Sequence, residues 1–68
     1  MKTLDTVALL RSIPEKKLVK GQVGTIVEKL DRDTYEVEFL DTKTGLTLGV
    51  ETLSGSDLFL LHFEVVNA

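Results

Sequence analysis

The segment from Lys20 to Glu28 constrains the fold of this chain more than any other. It reads KGQVGTIVE, an alternating segment interrupted by two glycines. Gly21 is placed for a turn at positive φ, where a side chain would clash. Gly24 lies inside the alternating part, where a glycine favours a bulge or a bend. The segment therefore predicts a long strand over residues 22–30 in a small sheet that must curl.

Short alternating segments predict four further strands. They cover residues 6–10, 35–39, 46–52 and 59–63, and the last is apolar on both faces. The alternation predicts the following inward-facing side chains: Tyr35, Val37, Phe39, Leu46, Leu48 and Val50. Phe59 and Phe63 are assigned to the core with the other two aromatic residues.

The connections between these strands indicate the fold class. Residues 11–20 lack alternation and contain Pro14, which predicts a long irregular loop with one helical turn capped by Ser12. Residues 54–58 predict a single 3₁₀ turn. We therefore expect one all-β domain over residues 1–68. It is a five-stranded SH3-like small barrel, with one long loop after strand 1 and a 3₁₀ turn before the last strand.

The composition excludes several classes of protein. The chain has 68 residues, no cysteine and one histidine, so it contains no disulfide, no cysteine-based metal site and no histidine cluster. No stretch approaches the roughly 18 consecutive apolar residues that cross a bilayer. The charged N-terminal residues differ from a secretory signal, and we expect a cytoplasmic protein without a membrane partner.

The spacing of the acidic side chains resembles two kinds of functional site, a carboxylate pair and a calcium loop. The neighbouring residues support neither. Glu36 and Glu38 lie two apart on one strand, about 6–7 Å from each other, near the separation in glycosidases. No exposed aromatic residues for sugar binding accompany them. Asp31 and Asp33 begin like a calcium loop, but its glycine and its final glutamate are missing, and Asp41 stands near its end.

A nucleophile-base pair would join Ser54 or Ser56 to His62, and no nucleophile elbow surrounds either serine. Solvated carboxylates and a structural histidine explain these residues better than catalysis does. We therefore expect no enzyme activity, no metal ion and no cofactor.

The charge is distributed unevenly along the chain. The net charge is −3, yet residues 1–20 carry five cations against two carboxylates. The Lys20–Glu28 segment is similar to the KOW pattern of ribosomal and transcription proteins, and nearby cations could contact phosphates: Arg11, Lys16, Lys17 and Lys20. The pI of about 4.9 and the lack of a predicted stacking surface argue against this alternative, a nucleic-acid-binding domain.

The sequence also resembles a family. The pattern LDTV, IPE, KG and GTIVE, extending over residues 4–58, resembles a widespread bacterial family of short proteins known only as a domain of unknown function. The resemblance implies an SH3-like barrel in a cytoplasmic bacterial protein that accompanies another gene product. It implies no catalytic residues. The apolar C-terminal residues 59–66 depart from the family pattern.

These observations predict a protein-interaction module or companion subunit. We expect the partner to be a protein, either a different protein or a second copy of the chain in a homodimer. The predicted contact residues lie on the last strand and in the long loop: Leu60, His62, Glu64 and Val66, with Lys16, Lys17 and Lys20.

Overall fold

The computed structural model describes residues 1–41 and 43–61, which form an all-β domain. The five strands are β1 (Thr6–Leu9), β2 (Val23–Lys29), β3 (Thr34–Leu40), β4 (Thr47–Ser54) and β5 (Leu58–Leu60). Two 3₁₀ turns, Pro14–Lys16 and Gly55–Asp57, complete the described part. The predicted fold class is confirmed, with the long loop after β1 and a 3₁₀ turn directly before β5.

The strands form one antiparallel sheet in the order β4-β3-β2-β1-β5. Strands β1 to β4 follow one another as a meander, and β5 returns to the free side of β1. Among the described residues β4 and β5 do not pair, so they are the edges of this barrel-like sheet. The long loop contacts the edge strand β4 through Lys16, and Arg11 at its start contacts the second 3₁₀ turn, directly before β5.

The core lies on the inner face of the sheet and is entirely apolar in the described part. Its ten buried residues come from every strand and from the loop: Val7, Leu9, Ile13, Leu18, Ile26, Tyr35, Val37, Phe39, Leu53 and Leu58. Ile13 and Leu18 pair through their backbones and bury their side chains, so the long loop is itself part of the core. Burying one such side chain contributes about 1.5–3 kcal/mol.

The two glycines of the opening segment have different roles. Gly21 adopts φ +87°, as the turn requires. Gly24 is buried, and a Cβ there would lie 2.7 Å from Val37 Cγ1. The predicted bulge is displaced from Gly24, because the register shift between β2 and β3 falls between Ile26 and Glu28. Gly24 is instead required by the close approach of β3.

Strand β4 reverses the predicted facing of its side chains. Leu46, Leu48 and Val50 are 68%, 55% and 48% exposed, so the prediction that they face the core is wrong. The ladder between β3 and β4 is irregular, because Phe39 pairs with Gly49 and Leu40 already pairs with Thr47. Gly49 and Leu53 lie opposite the inward-facing Phe39 and Tyr35, so the odd-numbered positions of β4 face the core and Leu53 is its buried leucine.

Two further details differ from expectation. The helical turn in the long loop is present but is a 3₁₀ turn without a side-chain cap. Ser12 Oγ instead accepts a hydrogen bond from the Lys20 backbone N–H at 2.9 Å. Phe59 is 57% exposed, because its neighbour Leu58 takes the inward position on β5.

Candidate functional site

Exposed apolar side chains cross the outer face of the sheet in register. Ala8 on β1 lies opposite Phe59 on β5 and opposite Val23 on β2. Gly24 pairs with Phe39, so the next antiparallel pair places Leu40 opposite Val23. Leu48, the extra residue in the irregular part of β4, lines the same cleft as these two residues. We term Phe59, Ala8, Val23, Leu40 and Leu48 the outer apolar row.

The outer apolar row is held on strands and is accessible to solvent. Phe59 and Leu48 are 57% and 55% exposed, and Leu40 and Val23 are 43% and 41% exposed. Ala8, between Phe59 and Val23, is half-buried. Backbone pairing fixes the spacing of these side chains, so a partner could cover them without ordering a loop.

One end of the row opens into a groove between the long loop and the hairpin that joins β3 to β4. Its wider part has a volume of about 610 Å³ and is lined by Val19, Val23, Leu40 and Leu48 among others. A deeper part of about 180 Å³ lies between the loop and β4 and reaches Phe39. Lys17 and Leu48 line both parts, so they form one loop–hairpin groove.

The structure separates the predicted loop lysines. Lys16 Nζ lies 3.1 Å from Glu51 Oε2 and also donates to the Thr52 carbonyl, so this cation fastens the loop to β4. Lys17 and Lys20 are exposed, line the loop–hairpin groove and form no ion pair with any residue in the described ranges.

Local backbone geometry positions the cations of the groove. Lys17 ends the first 3₁₀ turn in the left-handed region at φ 58°, and its N–H donates to the Pro14 carbonyl. Lys43, which the sequence analysis did not select, joins the groove from the hairpin tip. Its backbone N–H donates to Asp41 Oδ1 at 2.8 Å, which tightens that tip.

Arg11, one of the cations predicted to contact phosphates, forms an ion pair with Asp57. Its guanidinium donates from Nε to Asp57 Oδ1 at 2.8 Å and from Nη2 to Asp57 Oδ2 at 3.2 Å. These hydrogen bonds and the adjacent positive charge hold the pKa of the Asp57 carboxyl below its ordinary value. The pair connects the start of the long loop to the second 3₁₀ turn.

The other carboxylates have structural partners or face solvent. Asp31 Oδ1 accepts the Asp33 backbone N–H at 3.0 Å, and this bond lowers the pKa of Asp31. Glu36 lies opposite Glu28 on the outer face of the sheet. Residues 1–41 and 43–61 contain no group of three or more side chains able to hold a metal ion.

The predicted contacts on the last strand are described only in part. Leu60 is 41% exposed at the end of β5. His62, Glu64 and Val66 lie outside the described residues, so contacts there stay predictions, as does a pairing of His62 with a serine. Ser54 Oγ itself donates to Asp33 Oδ2 at 3.2 Å and lies 2.9 Å from Ser56 Oγ.

One signal in the sequence indicates the row that the sequence analysis missed. Glu36 and Glu38 place carboxylates on the outer face of β3, and Leu40 occupies the next position of that same face. An apolar residue on a strand face that otherwise carries carboxylates indicates that this part of the face contacts something other than solvent. The remaining members depend on the pairing of distant strands.

Comparison with known proteins agrees with the family resemblance. No curated protein and no solved structure matches the chain. Within the described part of the chain, no helix has the length and apolar character needed to cross a membrane. A family model covers residues 3–60. Because this match covers most of the 68 residues, the chain belongs to the family described as Domain of unknown function (DUF4926).

Proposed function

We propose that this protein is a non-catalytic protein-interaction module that binds its partner through the outer apolar row. One observation supports this most directly: four of the row's side chains are 41–57% exposed, with Phe59 and Val23 on either side of Ala8 and with Val23, Leu40 and Leu48 lining one cleft. Single exposed apolar residues are ordinary on a protein surface, whereas contiguous ones are typical of interaction sites.

The magnitude of burial supports binding through this row. Full burial of one large apolar side chain contributes about 1.5–3 kcal/mol, and roughly half of each side chain is still accessible. Covering all four would therefore contribute roughly 3–6 kcal/mol before the cost of association. Such a row can supply the centre of an interface, with the flanking lysines at its rim.

The role that we propose is that of a companion to another bacterial cytoplasmic protein. This follows the family pattern, since the resemblance in sequence implies short proteins that stand alone. Self-association through the last strand, at Leu60, His62, Glu64 and Val66, remains the competing arrangement.

Affinity capture with matched variants tests the proposed function. The tagged protein is exposed to a lysate of its source organism, and bound proteins are identified by mass spectrometry. Val23→Ser with Leu40→Ser changes the row. Val27→Ser with Leu30→Ser is the control, because these residues are equally apolar and are 37% and 46% exposed. Leu30, the residue directly after β2, lies roughly 20 Å from Val23 along the strand direction.

We expect a specific protein that the wild type and the control retain and that the row variant loses. Retention of every captured protein by the row variant would contradict the proposal. If the captured protein is lost only when Leu60 is changed to serine, the contact lies on the last strand instead. Far-UV circular dichroism of each variant confirms that the fold is retained.

A further inference from the structure

We propose that the loop–hairpin groove binds an extended, acidic segment with aliphatic side chains, supplied by a protein partner. This inference rests on the proposed function and names the chemistry of the partner. It is carried by the apolar lining of the groove, by the sign of the charges around it and by the edge of β4, which pairs with no further strand in the described part of the chain.

The lining of the groove suits aliphatic side chains. Val19 is 62% exposed, and it lines the wider part together with Val23, Leu40 and Leu48. These four side chains are branched and aliphatic. They offer apolar area for leucine, isoleucine or valine, and they offer no ring on which a nucleic-acid base could stack. The lining therefore favours a protein segment over RNA or DNA.

The charges around the groove have a sign opposite to that of the whole chain. Lys17, Lys20 and Lys43 line the wider part, and among the described residues Asp41 is the single carboxylate there. In the deeper part Glu51 is paired with Lys16. The described charges of the groove thus sum to +2, whereas the chain carries −3. Charge complementarity of this kind selects an acidic ligand and steers its approach.

The edge of β4 favours an extended segment. The deeper part of the groove lies between the long loop and three β4 residues, Leu48, Gly49 and Glu51. On this side β4 has no strand partner within residues 1–41 and 43–61. An added strand could hydrogen-bond to such an edge while its alternate side chains enter the groove. Lys16, bound to the Thr52 carbonyl, marks where this free edge ends.

Peptide selection on the full chain tests the inference. Phage display presents random peptides of about twelve residues, which span roughly 40 Å when extended. We expect the enriched peptides to alternate aspartate or glutamate with leucine, isoleucine or valine. A selected peptide is then synthesised with a fluorescein label, and its Kd is measured by fluorescence anisotropy.

Charge-reversal variants test whether the peptide binds in the groove or elsewhere on the surface. Changing Lys17, Lys20 and Lys43 to glutamate should weaken peptide binding about tenfold or more, since three attractions become repulsions. The control changes Lys2, Lys29 and Arg32 to glutamate, which alters the net charge by the same amount outside the groove and should preserve binding. Lys43→Glu alone, at the hairpin tip, provides the test if the triple variant does not fold.

Each outcome decides the inference. Neutral or basic selected peptides, no enrichment, or unchanged binding by the charge-reversal variant would overturn it. If neutral peptides are selected and their binding is lost on Val23→Ser with Leu40→Ser, the proposed function survives. Only the acidic character of the partner is then contradicted. Tighter, lysine-dependent binding of labelled single-stranded RNA would replace the inference with nucleic-acid binding. A dimer that dissociates on charge reversal would replace it with self-association.

Discussion

Gly24→Ala provides the sharpest test of how β2 packs on β3. The added Cβ would lie 2.7 Å from Val37 Cγ1, 2.8 Å from the Glu38 carbonyl oxygen and 2.9 Å from Phe39 Cδ1. None of these atoms is the free end of a flexible side chain. Val37 and Phe39 are 0% and 1% exposed, and the carbonyl belongs to the strand backbone. The substitution therefore requires the core or the sheet to shift.

The expected loss of stability follows from two opposing effects. Overpacking a close-packed core costs about 1–3 kcal/mol, and three short contacts place this site at the upper end. Replacing a strand glycine returns about 0.5–1 kcal/mol, because alanine loses less backbone entropy on folding. We expect a net destabilisation of about 2 kcal/mol, a large part of the roughly 3–5 kcal/mol that a single core supplies in so small a domain.

Urea denaturation followed by far-UV circular dichroism measures this change, since the chain contains no tryptophan. Sodium sulfate in all samples keeps the weakest variants folded. In a double-mutant cycle, Val37→Ala removes the nearest clashing atom and should reduce the cost of Gly24→Ala by about 1 kcal/mol. Gly45→Ala, where a Cβ meets no atom of the described residues within 4 Å, should show no such coupling. An alanine variant at residue 24 as stable as the wild type would refute the packing argument.

Further predictions concern the surface and the acid dependence of stability. Val23→Ser with Leu40→Ser should change the Tm by only a few degrees, whereas Leu53→Ala, at a buried position, should cost about 2–5 kcal/mol; thermal circular dichroism compares them. The pKa of Asp57 is lower in the folded protein, so its stabilising effect is complete above the ordinary aspartate pKa of about 3.9 and is lost as pH falls through the folded value. Asp57→Asn should therefore flatten the decline in stability between about pH 5 and pH 2 in urea titrations, and an unchanged decline would contradict the role of the Arg11 pair.

The alternation of β3 was readable from the sequence, and that of β4 was not. Tyr35, Val37 and Phe39 face inward as predicted, since β3 itself carries no extra residue. Leu46, Leu48 and Val50 alternate equally well but are exposed. The pairing of Val50 with Glu38 and of Leu53 with Tyr35 decides which face of β4 is turned inward. The local pattern carries no sign of this register, because the register exists only in the pairing with β3.

The loop lysines were predictable in type but not in arrangement. The sequence placed Lys16, Lys17 and Lys20 on one loop, and the structure assigns Lys16 to a structural ion pair and the other two to the groove. Lys43 lies more than twenty positions further along the chain and joins them only through the β3–β4 hairpin. The outer apolar row likewise depends on four separate strand pairings.

A protective role for the lysines is the main physical alternative to binding. Small sheet proteins discourage edge-to-edge association with charged side chains, lysine above all, near exposed edges. Lys17, which lines the groove beside β4, could serve this purpose alone. The two roles differ in their dependence on the sign of the charge. Repulsion between copies requires only a charge, so Lys17→Glu would protect as well as lysine does, whereas recognition of an acidic segment would be lost.

Substitution of the groove lysines by neutral residues gives a second test that distinguishes protection from binding. Lys17→Gln, Lys20→Gln and Lys43→Gln together should promote aggregation if the lysines protect, since the apolar lining of the wider part of the groove then loses the lysines beside it. If the lysines bind an acidic segment, the same variant should weaken binding of the selected peptide less than charge reversal does. Light scattering and anisotropy on the same samples therefore separate the two roles. A glutamate variant that stays monodisperse and loses the peptide is consistent only with recognition.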